Sequence, residues 1–275
     1  MVSSGRSSHG PVGDLSYMAA VRWKFAEKAS THRLKSQLSD HQGGTGFSLW
    51  VNQVASVLKE RLEQVESRIA AAAVRSGRSR AEITLLAVTK KFPASVMREA
   101  YDLGLRDFGE NYVQEFEEKS GELSDLADAR FHLIGHLQSN KSKKAAELFR
   151  VVQTVDTPKL ARRLDAEGKP LDVMIEVKLS TEETKAGAAP SDIPALVESI
   201  RQCKNLRLLG LMTMPPWSDD AEVSRPYFAR LRQLACENGL QQLSMGMSHD
   251  LEAAIEEGAT IVRIGTALFG PRKKT

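Results

Sequence analysis

The chain has 275 residues, 41% of them hydrophobic and 27% charged, ordinary values for a globular protein with a full core. No apolar run approaches the roughly 20 residues that span a bilayer, which excludes a helical membrane protein. The net charge of +3 lies wholly in residues 1–48, which hold six basic and three acidic side chains, so the body has no basic excess to attract nucleic acid.

Residues 1–48 are rich in Ser, Gly and His, from MVSSGRSSHGPVGD to SDHQGGTG. They read as a disordered extension, or as the result of a start assigned too early, with Met18 a candidate start. Their Arg and Ser content also fits an organelle transit peptide, while no long apolar segment marks a secretory signal. Residues 49–275 are expected to form one domain, cytoplasmic unless the extension redirects it.

Within the body, Val54, Leu58, Leu62, Val65, Ile69 and Ala72 recur at spacings of three and four, the pattern of one helix face docked on a core. Gly77 is the expected C-terminal stop. Strands are expected at Ile83–Val88, Asp107–Gly109, Phe131–Ile134, Val151–Thr154, Val173–Val177, Leu206–Leu211, Gln242–Leu243 and Ile261–Ile264. Helices are expected between them, at Ser95–Leu103, Val113–Leu123, Lys141–Leu148, Pro158–Glu167, Ile193–Cys203, Ala221–Asn238 and His249–Glu257. Regular βα alternation implies a parallel sheet, and eight such units point to an α/β fold closed as a (β/α)8 TIM barrel. An open sheet is the alternative, because the second and seventh strands are short. Cys203 and Cys236 lie far apart with no CxxC, and read as small buried or half-buried thiols of a reduced, intracellular protein.

Barrels of this kind place their chemistry on the loops after the strands. Those loops carry Thr89, Lys90 and Lys91; GEN at Gly109–Asn111; GHLQSNK at Gly135–Lys141; Asp156; KLSTEETKAG at Lys178–Gly187; MTMPP at Met212–Pro216; SMGMS at Ser244–Ser248; and GTALFG at Gly265–Gly270. Gly265 and Thr266 open a short helical turn, and Ser248 is placed to cap a helix beginning near His249. Free N–H groups at such positions bind phosphate, although a turn glycine and a simple cap explain the same residues. Lys90 and Lys91 close the first strand. Either both are solvated strand-end charges, or one enters the mouth, where partial desolvation lowers its proton affinity and frees the amine to condense with an aldehyde. His132 and His136 have no third ligand at fixed spacing, so a packing or hydrogen-bonding role is favoured over zinc. Lys141 and Lys185 read as solvated lysines or as further anion contacts. Asp250 and Glu252 suit the first turn of a helix.

Seven segments in order, LLAVTKKFP, FGENYVQE, FHLIGHLQSNK, VQTVD, STEETKAG, GLMTMPP and LSMGMSHDLEAAIEEGATIVRIGTALFG, resemble the pyridoxal phosphate homeostasis proteins over about residues 51–270. Residues 1–48 have no counterpart. The resemblance implies a barrel like the N-terminal domain of alanine racemase, holding pyridoxal 5'-phosphate as a lysine aldimine. Its cofactor lysine falls on Lys90, with Thr89 where the family usually has Ser. It places phosphate contacts on Ser248, Gly265 and Thr266, Asn111 near the ring hydroxyl, Met212 and Met214 near the ring face, and Arg263 by the pyridine nitrogen.

An arginine there stays protonated and cannot share a proton with the ring, which weakens the cofactor as an electron sink. A racemase also needs a second acid/base on the opposite face, which alanine racemases take from a β-rich domain and a partner chain. That domain is not expected here, since the sequence ends five residues after Gly270. The expected function is therefore to bind, buffer or deliver pyridoxal phosphate, as a monomer, to pyridoxal-phosphate-dependent apo-enzymes, without clear turnover. The alternatives are a weak amino-acid racemase or a Schiff-base aldolase.

Overall fold

A computed structural model describes residues 45–180 and 186–271, with side chains from residue 57 onward. The expected extension lies almost wholly outside the described residues. Helix α1, Thr45–Arg75, leads into the barrel and presents Leu58, Leu62, Val65, Ile69 and Ala72 to the core, the face expected from their spacing. It ends as the glycine predicts. Gly77 takes φ 68, its N–H donates to Val74 O at 3.1 Å, and Arg78 N–H donates to Ala73 O at 2.8 Å, which satisfies carbonyls the helix leaves open.

The strands are β1 Thr84–Val88, β2 Asp107–Glu110, β3 Arg130–Leu133, β4 Val151–Val155, β5 Leu171–Glu176, β6 Leu206–Met212, β7 Gln242–Ser244 and β8 Ile261–Ile264. The helices after α1 are α2 Ala94–Asp102, α3 Val113–Ser120, α4 Ser142–Leu148, α5 Pro158–Asp165, α6 Ile193–Arg201, α7 Arg225–Glu237, α8 Leu251–Glu256 and α9 Thr266–Phe269. Neighbouring strands pair in parallel all the way round, and β1 closes on β8 with Leu86 opposite Arg263. The sheet is thus a closed barrel, not the open alternative. Even the three-residue β7 is held, by Gly210 opposite Gln242 and Ser244 opposite Ile261. A compact unit spans Leu49–Thr275.

Two apolar layers explain why the strands read as continuous hydrophobic runs. Leu86, Val88, Ile134, Met174, Met212 and Ile261 cluster together on alternate strand positions and fill the barrel. Leu85, Ala87, Phe108, Val152, Ile175, Leu211 and Val262 belong to the larger core shared with the helices. At the strand starts, Arg130 pairs with Asp107 at 2.6 Å and Arg207 with Asp172 at 2.7 Å, closing the end away from the mouth with charge. Bidentate bonds of 2.6 and 2.8 Å from Arg68 to Glu252 tie α1 to α8.

Two expectations are corrected. Cys236 is exposed, because Leu234 and Ala235 take the core side of α7; Cys203 is half-buried, and both thiols are free. Asp250 does more than suit a helix start, for it is 1% exposed and its Oδ1 accepts from Met247 N–H at 2.6 Å. Among the described residues no helix is long and apolar enough to cross a membrane.

Candidate cofactor site at the barrel mouth

The first βα loop sets the two lysines apart. It is a tight turn, with Phe92 N–H donating to Thr89 O at 3.0 Å and Lys91 at φ 65. Lys91 is the one non-glycine among the described residues with positive φ, a conformation that costs a side chain roughly 1–2 kcal/mol. The reversal leaves Lys91 exposed and Lys90 half-buried at the strand end. Lys90 continues the alternation of Leu86 and Val88, whose side chains fill the barrel.

Buried polar groups brace this turn from behind. Thr89, fully buried, donates through Oγ1 to Glu110 Oε1 at 2.6 Å. Lys119, from α3, sets its ammonium 2.9 Å from the same oxygen and donates to the carbonyls of Thr89 at 3.3 Å and Phe92 at 3.1 Å. Glu115 accepts from Lys91 N–H and, at 3.1 Å, from Lys119. Burial pushes the Glu110 carboxyl up, against the downward pull of Lys119 and Thr89. Phe92 packs on Phe269 with ring centroids 5.3 Å apart, which joins the lysine turn to the last loop.

Asn111 follows β2 and is half-buried. Its backbone lies so close to Gly135 that a Cβ there would collide with Asn111 O, so the third loop needs glycine to let the second pass. Met212 is wholly buried among the barrel-filling residues, whereas Met214 is 41% exposed beyond the end of β6. Arg263, on β8, is 3% exposed and donates to Ser244 Oγ at 2.9 Å and Thr213 O at 2.8 Å. Burial lowers its pKa to about 10, against the opposing pull of Asp250 and Glu176, so it is a cation at neutral pH.

Ser248 does not cap a helix at His249. That helix starts at Leu251 with Asp250 in the cap position, and Ser248 Oγ instead accepts from Ala267 N–H at 3.2 Å. The N–H groups opening α9 have no carbonyl within their own helix, so they draw the hydroxyl across. Ser248 thereby ties the seventh loop to the eighth, where Gly265 occupies the cap position and Thr266 is exposed.

Glu176 and Gln153, which the sequence reading passed over, lie between these groups, together with Ser244 of the seventh loop and His132, which takes the hydrogen-bonding role expected of it. Glu176, at the end of β5, is 5% exposed, and its Oε2 has no hydrogen-bond partner. Burial and the nearby Asp156 raise its pKa to about 7, with Arg263 pulling the other way. Gln153 and Ser244 are fully buried polar side chains inside the barrel, and His132 bonds to Gln153 at 2.9 Å. Their signal was present, since each is a polar residue interrupting an apolar strand: VVQTV, QLS and RFHL.

Other candidates lie apart. His136 is exposed, with Nδ1 3.8 Å from Asp156 Oδ2. Lys141 lines an open surface cleft of about 360 Å³ between α3 and α4. Lys185 falls outside the described residues. Among the described residues no cluster of three or more His, Cys, Asp or Glu side chains could hold a metal.

Taken together, the mouth offers an amine, a buried guanidinium, an orphaned carboxyl oxygen and a hydroxyl-rich edge shared by two loops. Known proteins resemble this chain in sequence and in fold. Residues 62–273 match the family model for the alanine racemase N-terminal domain. A pyridoxal phosphate homeostasis protein of Pseudomonas aeruginosa is 50% identical over 223 residues, covering 79% of this chain and 96% of that protein. One of Aquifex aeolicus is 46% identical, with 78% and 98% coverage. The structure of PipY from Synechococcus elongatus with pyridoxal phosphate bound superimposes with a TM-score of 0.69 at 39% identity, covering 78% of this chain and all of that one. Alanine racemase of Clostridium difficile, 13% identical with a TM-score of 0.62 over 80% of this chain and 57% of that one, shares the fold. The chain belongs to the pyridoxal phosphate homeostasis proteins, built on the alanine racemase N-terminal barrel.

Proposed function

We propose that this chain binds pyridoxal phosphate at the barrel mouth and serves to buffer or deliver it. The observation that carries the reading is the turn at Lys90. A left-handed Lys91 and a buried Thr89–Glu110–Lys119 brace fix one lysine at the mouth of a barrel whose neighbouring edge, after β7 and β8, presents hydroxyl and N–H groups. When bound, the cofactor supplies an aldehyde that condenses with an amine. Lys90 is that amine. Ser248, Gly265 and Thr266 hold the phosphate, Asn111 meets the ring hydroxyl, Met212 and Met214 border the ring, and Arg263 meets the pyridine nitrogen.

The residues present fit this group. Arg263 directs its two bonds to a hydroxyl and a carbonyl, both neutral oxygens, and keeps its charge at neutral pH. A protonated arginine donates to the pyridine nitrogen and gives it no proton, so the ring withdraws electrons weakly. That favours retention over turnover. Relatives that carry the homeostasis name support the same role. Handing the cofactor to apo-enzymes in the cytoplasm, as a monomer, belongs to this proposal.

The test is the visible spectrum of purified protein with added pyridoxal phosphate, followed by borohydride reduction and peptide mapping. A yellow band bleached by reduction, leaving a pyridoxyl group on Lys90, is the expected result. A protein that stays colourless would overturn the reading and favour an aldolase that forms its imine with substrate.

A further inference from the structure

An unbroken line of hydrogen bonds crosses the barrel from its closed end to its mouth. Arg130 donates to Asp107 Oδ2 at 2.6 Å, and His132 Nε2 lies 2.9 Å from Asp107 Oδ1. Gln153 Nε2 lies 2.9 Å from His132 Nδ1, Ser244 Oγ donates to Gln153 Oε1 at 2.6 Å, and Arg263 Nη1 donates to Ser244 Oγ at 2.9 Å. Asp107, His132, Gln153, Ser244 and Arg263 are all buried. An apolar barrel interior does not need five polar residues, and each left unpaired there would be costly.

The direction of the line is fixed from its ends. Arginine only donates, so Ser244 Oγ accepts from Arg263 and its single proton goes to the next acceptor, Gln153 Oε1. The amide nitrogen of Gln153 must then face His132, which requires a bare Nδ1. The His132 proton sits on Nε2 and is donated to Asp107, whose carboxyl is held below its ordinary range, against burial, by the bonds from His132 and Arg130. A proton on Nδ1 would face the amide N–H of Gln153. Turning the amide to accept it would give Ser244 two donors and no acceptor.

We propose that Gln153 and His132 are positioning residues for Arg263: the neutral Nε2–H form of His132 orients Gln153, which orients the Ser244 hydroxyl, which aligns the guanidinium at the mouth. This rests on the reading that Arg263 faces the pyridine nitrogen. Two further groups face Arg263 without joining the line, Glu176 from β5 and Asp250 ahead of α8, and both act on it through charge. Neither fixes the plane of the guanidinium, which its bonds to Ser244 and Thr213 do.

The test has two arms. In cofactor-free protein, nitrogen NMR of His132 at pH 7.5 should show a neutral ring with its proton on Nε2. Gln153→Glu, which keeps the size and offers acceptors to both neighbours, should convert His132 to the doubly protonated ring. A wild-type ring that is cationic, or protonated on Nδ1, would overturn the line as drawn. In the second arm, pyridoxal phosphate is titrated by its visible band. Gln153→Met should weaken retention about tenfold, the scale of one lost hydrogen bond, and move the pH midpoint of the band. Ser248→Ala should weaken retention with the midpoint unchanged, since it acts at the phosphate. Gln153→Glu should recover the tight binding that Gln153→Met loses. If Gln153→Met alters neither retention nor midpoint while both variants fold, the line is structural only and the proposal fails. A wild-type protein with no band defeats the cofactor reading instead, and the NMR arm still decides the state of His132.

Discussion

The Lys119 ammonium lies 2.9 Å from Glu110 Oε1 and bonds as well to the carbonyls of Thr89 and Phe92, so one buried cation holds both sides of the turn that carries Lys90. Lys119 and Glu110 are 7% and 0% exposed. Removing one partner strands the other charge away from water. Lys119→Met should therefore cost about 3 kcal/mol in urea denaturation, while Lys119→Met with Glu110→Gln should recover much of that loss. A loss below about 0.5 kcal/mol for the single change would mean that the pair does not brace the turn.

The left-handed Lys91 yields a prediction of opposite character. A Cβ at φ 65 is strained and glycine is not, yet glycine has more freedom to lose on folding. Comparing Lys91→Gly with Lys91→Ala removes the long side chain from both. Glycine should be the more stable by about 1 kcal/mol, measured by thermal or urea unfolding. A more stable alanine variant would mean that the turn is not left-handed in solution.

The phosphate edge is tested separately from the lysine. Ser248→Ala removes the acceptor for Ala267 N–H and the hydroxyl itself, and Thr266→Ala removes an exposed hydroxyl. Together they should weaken pyridoxal phosphate retention by roughly 2–3 kcal/mol, the scale of charge-assisted hydrogen bonds, with little change in unfolding temperature. Unchanged retention would move the phosphate elsewhere on the rim.

The barrel was legible because both of its layers are apolar. Strand runs such as LLAV and VMIEV stand out against amphipathic helices, and eight alternations leave few architectures. From the residues alone Lys90 was legible only as one of two lysines, and the family resemblance was what singled it out. The structure shows a turn there, set by φ at Lys91, and no propensity marks a lysine as left-handed. Ser248 was assigned to its nearest helix because capping is a local rule, whereas its actual partner, Ala267, is 19 residues away. The line from Asp107 to Arg263 joins strands in a register that sequence alone does not supply. Arg263 and His132 were singled out, but nothing in the sequence linked them to Asp107, Gln153 or Ser244.

Glu176 connects the site to pH. Its carboxyl is buried with one oxygen unpartnered, and burial with Asp156 nearby raises its pKa to about 7 from an ordinary 4.5, despite Arg263. In the unfolded chain the group ionises near its ordinary value. Between about pH 4.5 and 7 the folded state thus holds a proton that the unfolded state has released. Stability falls as pH rises through that window and levels off above it, by roughly 3 kcal/mol for a shift of this size. Glu176→Gln has no proton to lose. In cofactor-free protein it should match wild type below pH 4.5 and exceed it at pH 8 by up to that amount, read from urea denaturation at each pH. A gap that stays the same from pH 4.5 to 8 would mean that Glu176 is ionised throughout. Arg263 would then face the full charge of Glu176 at neutral pH, added to that of Asp250.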